Sequence, residues 1–242
     1  MATISPSDSS LSDLPSSSPF NFADGAMLLV DKPLEWTSFD VVKKMRGLTR
    51  VKKIGHAGTL DPLATGLLVL CTGKMTKQIE RFQGMEKAYE GALVLGKTTP
   101  SIDLETDFDS EQPTDHIKIE QLETVRQKFV GLISQIPPQY SAIKVDGRRV
   151  YKSARQGKKV EIKPREVQIT TFDFTEITLP EVRFSVVCSK GTYIRSLVRD
   201  IGQELGVGAY LKELRRTRIG HLHVNDARTI ADWTSTLKPT EE

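Results

Sequence analysis

The stretch GHAGTLDPLATGLLVL, residues 55–70, places a glycine-rich loop directly before an apolar run. Glycine stands at positions 55, 58 and 66, where it permits tight turns and close approach of the backbone. Asp61 precedes Pro62, which disfavours a helical conformation at the aspartate and keeps it extended. The LLVL run is typical of a buried strand. A single carboxylate on such a loop is well placed for chemistry, although an isolated Asp-Pro pair more often only caps a turn.

The sequence on either side predicts strands and helices without a regular alternation. Strands are expected at residues 26–30, 67–71, 87–96, 167–177, 181–189 and 218–224. Helices are expected at residues 39–48, with Thr37 or Ser38 as the N-cap, at 119–133 and at 191–205. Because no regular βαβ period is present, the pattern favours an α+β fold around one large mixed sheet.

Charge is segregated along a chain whose 242 residues carry a net charge of only +3. Residues 43–53 contain six bases and no acid, and residues 141–165 contain nine bases and two acids. Residues 101–123 contain eight acids and one base. Such segregation indicates basic faces that can bind phosphates, or else solvated faces without a ligand.

Composition and motifs exclude several classes of protein. No run of 18 apolar residues and no secretory signal occur, which predicts a cytoplasmic protein that does not enter a membrane. The two cysteines, Cys71 and Cys188, lie in apolar stretches and are interpreted as buried reduced thiols. Phosphate-loop spacing and a GxSxG elbow are absent, and the pair His221 and His223 has no third ligand at metal spacing. Residues 1–24, rich in Ser, Pro and Asp, are predicted to be a disordered tail.

The string GHAGTLDPLATGLL closely resembles the catalytic motif of the bacterial tRNA pseudouridine synthase B family, which acts on the T-loop. Other family elements follow in the same order. They are DKPLEWTS at 31–38, KAYE at 87–90, the basic stretch at 136–167, GTYIRSL at 191–197 and AYLKELRRTRIG at 209–220. The resemblance covers about residues 25–230. Glu35 stands where the family usually has Gly, and the usual C-terminal RNA-binding module is expected to be missing or much reduced.

The resemblance implies a pseudouridine synthase fold, with one large mixed, mostly antiparallel sheet flanked by helices. It implies a catalytic domain at residues 25–235, with a basic RNA-gripping insertion at about 135–165 and a short tail at 236–242. The implied reaction is isomerisation of uridine to pseudouridine at position 55, in the T-loop of tRNA, without cofactor or metal. Asp61 would be the catalytic carboxylate, as a nucleophile at C1′ or a base at C2′ of the ribose.

The resemblance also assigns roles around Asp61. Arg195 would keep the carboxylate ionised and orient it through a bidentate contact. Tyr89 would stack on the uracil, with Tyr193 and Leu214 completing the pocket wall; core packing is the alternative for both tyrosines. His56 would fill the gap left by the extruded base, unless it is an ordinary loop histidine, and Lys32 would support the pocket loop. The insertion would contact phosphates through Lys144, Arg148, Arg149, Tyr151, Lys152 and Arg155.

The expected partner is tRNA, through its T-stem-loop, bound by a monomer without guide RNA and without a membrane. Three alternatives have to be considered. A non-catalytic RNA-folding factor of the same fold is disfavoured by the intact set of Asp61, Tyr89 and Arg195, although a folding role could coexist with catalysis. A guide-dependent subunit is disfavoured by the basic insertion, because a stand-alone enzyme must grip RNA by itself. A glycoside hydrolase would need a second carboxylate, which the motif lacks.

Overall fold

The structure is a computed structural model that describes residues 21–141, 143–145, 147–154, 156–158 and 160–237. Most of the tail predicted at residues 1–24, most of the segment 236–242, and Arg155 lie outside the described residues.

The chain alternates irregularly between strands and helices, as the sequence predicts. The strands are β1 (Met27–Lys32), β2 (Ile54–His56), β3 (Ala64–Thr72), β4 (Lys87–Leu95), β5 (Lys97–Thr98), β6 (Ser110–Glu111), β7 (Gly131–Gln135), β8 (Lys144–Val145), β9 (Arg148–Arg149), β10 (Arg165–Thr178), β11 (Glu181–Cys188), β12 (Ala209–Ile219) and β13 (Leu222–His223). The α-helices are α1 (Ser38–Thr49), α2 (Ile79–Gly84), α3 (Ile119–Lys128), α4 (Val150–Ala154), α5 (Ile194–Glu204) and α6 (Ile230–Leu237).

One nine-stranded sheet forms the centre of the molecule, in the order β1-β3-β12-β4-β11-β10-β7. Two short strands are added beside this path, β2 next to β3 and β13 next to β12. Every pairing between its strands is antiparallel except that of β12 with β3, where Leu214 lies opposite Ala64 and Arg216 opposite Gly66. The predicted α+β architecture with one large mixed, mostly antiparallel sheet is confirmed.

Apolar side chains pack against the sheet in three clusters. The largest joins β4, β10 and β11 to α3 and α5, and contains Leu122, Phe172, Phe184, Leu197 and Ile201. A second lies under α1 and α6, and a third under α2 and the end of β12. The predicted apolar face of α5 is confirmed, since Ile194, Leu197, Val198 and Ile201 are all buried. The first turn of α5 is therefore held firmly against the sheet.

Two predicted elements are wrong in extent. The helix expected at residues 119–133 ends at Lys128, and Gly131–Gln135 instead forms the edge strand β7 beside β10. Gly131 has φ 99, a conformation that ends a helix, and Leu132 is 65% exposed and packs on no helical face. The closing strand expected at 218–224 is a hairpin, in which the end of β12 turns back into β13.

Other predictions about local features are confirmed. Thr37 caps α1, and its hydroxyl accepts from the backbone N–H of Asp40 at 3.0 Å. Cys71 and Cys188 are buried and free. Among the described residues, the helices lack the length and apolar character that a bilayer crossing requires.

Candidate active site

The loop that carries Asp61 connects β2 to β3 and is held from several sides. The Ser38 hydroxyl, at the start of α1, donates to the carbonyl of Leu60 at 3.1 Å and accepts from its N–H at 2.9 Å. Behind the loop, Gly66 has φ 101 and packs so closely on the backbone of Arg216 that a Cβ would lie 2.3 Å from the carbonyl oxygen. Gly66 therefore lets the start of β3, just after the loop, lie directly against β12.

Arg195 reaches Asp61 from the first turn of α5. Its guanidinium is 3% exposed, and Nε donates to Asp61 Oδ2 at 2.9 Å. The other two nitrogens donate to backbone carbonyls, Nη1 to Ser101 at 2.9 Å and Nη2 to Tyr140 at 2.8 Å. The expected bidentate contact is wrong in its geometry, because one nitrogen binds the carboxylate while two fix the arginine. Asp61 itself remains partly open to the cavity, with 36% of its side chain exposed.

A second carboxylate, Asp103, shares this arginine and was not predicted. Asp103 Oδ2 lies 3.6 Å from Arg195 Nε, and its side chain is buried. Burial raises the pKa of Asp103, while the charge of Arg195 opposes that shift. The motif around Asp61 gave no sign of Asp103, because it belongs to the acidic stretch 101–123 and reaches the site only through the folding of the sheet.

Arg216 on β12 is the second functional candidate that the sequence did not single out. Its side chain is 1% exposed, and its donors bind the carbonyls of Leu67 at 2.8 Å, Gly58 at 3.1 Å and Thr59 at 3.5 Å. The alternation of a strand could have indicated it, since Arg215 and Arg216 must point to opposite faces. Arg216 therefore ties β12 to the loop residues that immediately precede Asp61.

Lys32 holds the other end of the same loop, as expected of a supporting residue. Its ammonium is fully buried and donates to the carbonyls of Pro33 at 2.8 Å, Trp36 at 2.6 Å and Pro62 at 3.2 Å. Burial lowers the pKa of Lys32 to about 8, against the opposing charge of Asp61. The lysine thus joins the loop after β1 to the residue that follows Asp61.

A cavity of about 320 Å³ opens beside Asp61, and its wall includes Tyr89, Tyr193, Arg195 and Leu214. Tyr89 lies opposite Arg216 in the pairing of β4 with β12, and burial raises the pKa of its phenol. These four predicted residues are brought together with Asp61.

Tyr193 directly precedes α5, and hydrogen bonds to its backbone hold it at the cavity. The buried side chain of Gln135, at the end of β7, accepts from the N–H of Tyr193 at 2.8 Å and donates to its carbonyl at 3.1 Å. On the cavity side, the guanidinium of Arg165 lies 4.7 Å from the ring centre of Tyr193. Both ends of the basic insertion therefore contact the segment that carries Tyr193 and Arg195.

His56 lies outside the cavity wall. It ends β2, and its Nδ1 is buried without a hydrogen-bond partner within the described residues. Burial lowers the pKa of the imidazole, which keeps it neutral near pH 7. That His56 fills the gap left by the extruded base stays a prediction.

The insertion consists of the hairpin β8–β9 followed by the short helix α4. The backbone of Lys144, Arg148, Arg149 and Lys152 lies in these elements, while their side chains and the whole of Arg155 lie outside the described structure. Tyr151, on α4, is half-buried. No group of three metal-ligating side chains occurs in the described part of the chain.

Solved structures of two complexes contain a chain with this architecture. The crystal structure of a Cbf5-Nop10-Gar1 complex matches with a TM-score of 0.68 and 28% identity, over 88% of this chain and 54% of that chain. An H/ACA RNP bound to a substrate RNA containing 2′-deoxyuridine matches with a TM-score of 0.66 and 27% identity, over 88% and 53%. The chain thus spans about half the length of these solved proteins, and its fold is the pseudouridine synthase fold predicted from the sequence.

Sequence comparison identifies the family within that class. The TruB family pseudouridylate synthase (N terminal domain) matches residues 46–194, and the tRNA pseudouridylate synthase B C-terminal domain matches residues 195–241. A tRNA pseudouridine synthase B of Phocaeicola vulgatus is 50% identical over 91% of this chain and 97% of its own length. That of Flavobacterium johnsoniae is 49% identical, over 91% and 99%. The chain belongs to the TruB family of pseudouridylate synthases.

Proposed function

We propose that this protein isomerises uridine to pseudouridine in tRNA, at position 55 in the T-loop, with Asp61 as the catalytic carboxylate. The proposal rests on the hydrogen bond from Arg195 Nε to Asp61 Oδ2, which is 2.9 Å long. Both residues line a cavity whose wall also includes two tyrosines. The membership of the TruB family and the tRNA pseudouridine synthases at about half identity support the same substrate.

The cavity suits one nucleotide taken out of the RNA stack. Its volume of about 320 Å³ is at the lower end of the range of small-ligand sites. Tyr89 and Leu214 offer a flat, apolar surface to a flipped base. Contact with this surface offsets part of the free energy of unstacking, which is roughly a few kcal/mol. Leu214 and Tyr89 come from the adjacent strands β12 and β4, so the receiving surface is built on the rigid sheet.

The chemistry asks one carboxylate to act on the ribose. The bond from C1′ to N1 of uracil breaks, the base rotates, and a bond from C1′ to C5 forms. N1 gains a proton and C5 loses one, so the reaction is a balanced isomerisation. Asp61 serves as nucleophile at C1′ or as base at C2′, and in both routes it must be ionised and fixed. Arg195 fixes the carboxylate, since its Nε donates to Asp61 and its other nitrogens donate to the carbonyls of Ser101 and Tyr140.

Binding of the rest of the RNA is assigned to the basic insertion at about 135–165 of a catalytic domain spanning 25–235. Its charges favour contacts with phosphates, so that the folded shape of the T-loop would be recognised more than its sequence. We expect the enzyme to work as a monomer in the cytoplasm, without guide RNA.

The test is conversion of an unmodified tRNA transcript by the wild type and by Asp61→Asn, with no guide RNA added. Pseudouridine is mapped by carbodiimide treatment and primer extension. The wild type should convert the T-loop uridine, and Asp61→Asn should be slower by about 10⁴-fold or more while still binding the transcript.

Asp173→Asn is the matched control, because Asp173 is an exposed carboxylate on β10 that contacts Arg126. It should convert at the wild-type rate. Binding without conversion by the wild type would overturn the proposal and favour an RNA-folding role.

A further inference from the structure

The wall of the cavity carries more positive than negative charge. Its charged lining residues are one acid, Asp61, and four bases, Lys87, Arg165, Arg195 and Arg216. Arg195 lies between two carboxylates, those of Asp61 and Asp103. The helix α5 also begins at the cavity, and its N-terminus adds a partial positive charge. The cavity is therefore suited to a ligand that brings negative charge.

Two of the remaining cations are occupied by the protein itself. Lys87 donates to the carbonyls of Gln83 at 2.6 Å and Met85 at 2.5 Å. Arg216 is spread over the three carbonyls that fix the loop before Asp61. Their donors hold the backbone in place, so neither has a spare edge for a ligand.

Arg165 differs, because most of its donors are unused. Nη2 donates to the carbonyl of Gly191, and the flat face of the guanidinium stacks on Tyr193. Within the described part of the chain, Nε of Arg165 is buried and has no hydrogen-bond partner. A buried donor without a partner costs about 1–3 kcal/mol, so such groups are expected to meet a ligand or a water.

A second unpartnered group lines the same cavity. The hydroxyl of Ser141 is buried, and no hydrogen bond to it is formed by the residues that the structure describes. Ser141 stands at the start of the insertion and Arg165 at its end, where β10 begins. Nε of Arg165 and Oγ of Ser141, from two parts of one insertion, thus belong to cavity-lining residues and have no hydrogen-bond partner among the residues that the structure describes.

We propose that Arg165 binds a phosphodiester next to the flipped uridine, with the hydroxyl of Ser141 as a second donor. A phosphate is favoured over the uracil because the cavity has an excess of cationic groups and uracil is neutral. One face of the guanidinium is stacked on Tyr193, so a phosphate oxygen would be bound at the edge of the group, the geometry in which guanidinium groups bind phosphates. The contact would hold Arg165 in the position where it already stacks on Tyr193. This inference rests on the proposed function.

The test is a double-mutant cycle between Arg165 and the RNA backbone. Three T-stem-loop RNAs are used: one unmodified, one with a neutral methylphosphonate 5′ to the target uridine, and one with it 3′. Their dissociation constants are measured with the wild type, Arg165→Gln and Arg165→Lys. Arg183→Gln serves as the matched control, because Arg183 lies on β11 among Glu176, Glu181 and Glu213, away from the cavity.

At one of the two positions, the methylphosphonate should weaken binding to the wild type by about 10- to 100-fold. Arg165→Gln should weaken binding of the unmodified RNA by a similar factor and should then be indifferent to that methylphosphonate. That position identifies the phosphate. Arg183→Gln should respond to both modified RNAs as the wild type does. The proposal is overturned if, at both positions, the loss of affinity from Arg165→Gln simply multiplies the loss from the methylphosphonate. Such independence would point to a contact of Arg165 with the base instead.

A structural role for Arg165 gives a different result, because a merely misfolded pocket loses affinity for all three RNAs in equal proportion. If Arg165→Gln fails to fold, the cycle is read with Arg165→Lys, which keeps the charge and should retain partial coupling at the same position. The assay reads binding and needs no turnover. If the wild type converts uridine while the effects of Arg165→Gln and of the methylphosphonates on the dissociation constant are independent, this result overturns the present inference alone. A wild type that converts no uridine overturns the proposed function.

Discussion

The loop at residues 58–62 and the insertion at about 135–165 meet at one cavity but are built in opposite ways. The loop is held by buried charged and polar side chains from separate elements, namely Lys32, Ser38, Arg195 and Arg216, and most of their donors are satisfied. The insertion has few buried apolar side chains, Val150, Ala154 and Ile162 among them, and a sequence dense in bases. We therefore expect changes in the loop to alter the rate of conversion and changes in the insertion to alter the affinity for RNA.

The strongest test of this contrast is Arg195→Lys. A lysine keeps the charge but cannot donate to Asp61, Ser101 and Tyr140 from one plane, so we expect single-turnover conversion to fall by about 10³-fold. Transcript binding should change little. The control is Arg199→Lys on the same helix, where the ion pair with Asp200 can be kept, and its rate should stay near that of the wild type. A normal rate for Arg195→Lys would remove the arginine's orienting role.

Arg216→Met tests whether the contacts that hold the loop also stabilise the folded protein. The change leaves three carbonyls without a donor, and we expect unfolding in urea to lose about 3 kcal/mol. Arg215→Met is the adjacent control. Arg215 is 40% exposed and pairs with Asp31 at 2.7 Å, so its loss should cost about 1 kcal/mol or less. Equal losses for the two variants would contradict the view that Arg216 anchors the loop.

Lys32, which holds the same loop, should make the stability of the folded protein depend on pH. Its folded pKa of about 8 lies below the ordinary lysine value of 10.5, so between these values the unfolded chain binds more protons than the folded one. The contribution of Lys32 to stability therefore rises as the pH increases from about 8 to 10.5, and the buried charge is least favourable below pH 8. NMR titration of the lysine Nζ signals measures this pKa directly. A value near 10.5 for Lys32 would show that its three carbonyls compensate fully for burial.

The insertion should respond in affinity alone. Replacing both Arg148 and Arg149 with Gln should weaken transcript binding by roughly tenfold and lower the slope of log K against log salt by about 1 to 2. The melting temperature and the rate at saturating RNA should stay near the wild-type values. Filter-binding titrations at several salt concentrations measure the slope. An unchanged slope would move the phosphate contacts elsewhere on the protein.

Periodicity predicted β1, β3, β4, β10, β11 and α5, because their buried faces repeat at regular intervals, but it predicted only the last two residues of β12 as strand. It failed at Gly131–Gln135, where apolar spacing compatible with a helix gave way to pairing with β10. The expected partnership of Asp61 with Arg195 came from the resemblance to a family, since no local pattern links positions so distant in sequence. Asp103 and Arg216 could not be found in this way. Their significance depends on which carbonyls and charges the folded sheet brings within reach.

The placement of β12 at the middle of the sheet has a consequence for how the enzyme is made. The strand occupies residues 209–219, yet it lies between β3 and β4, which were synthesised much earlier. Leu214 and Arg216 arrive only with it, and until then β3 and β4 have no common neighbour. The nascent chain therefore carries Asp61 on an incomplete sheet, and we expect activity on RNA only after β12 has paired with both β3 and β4.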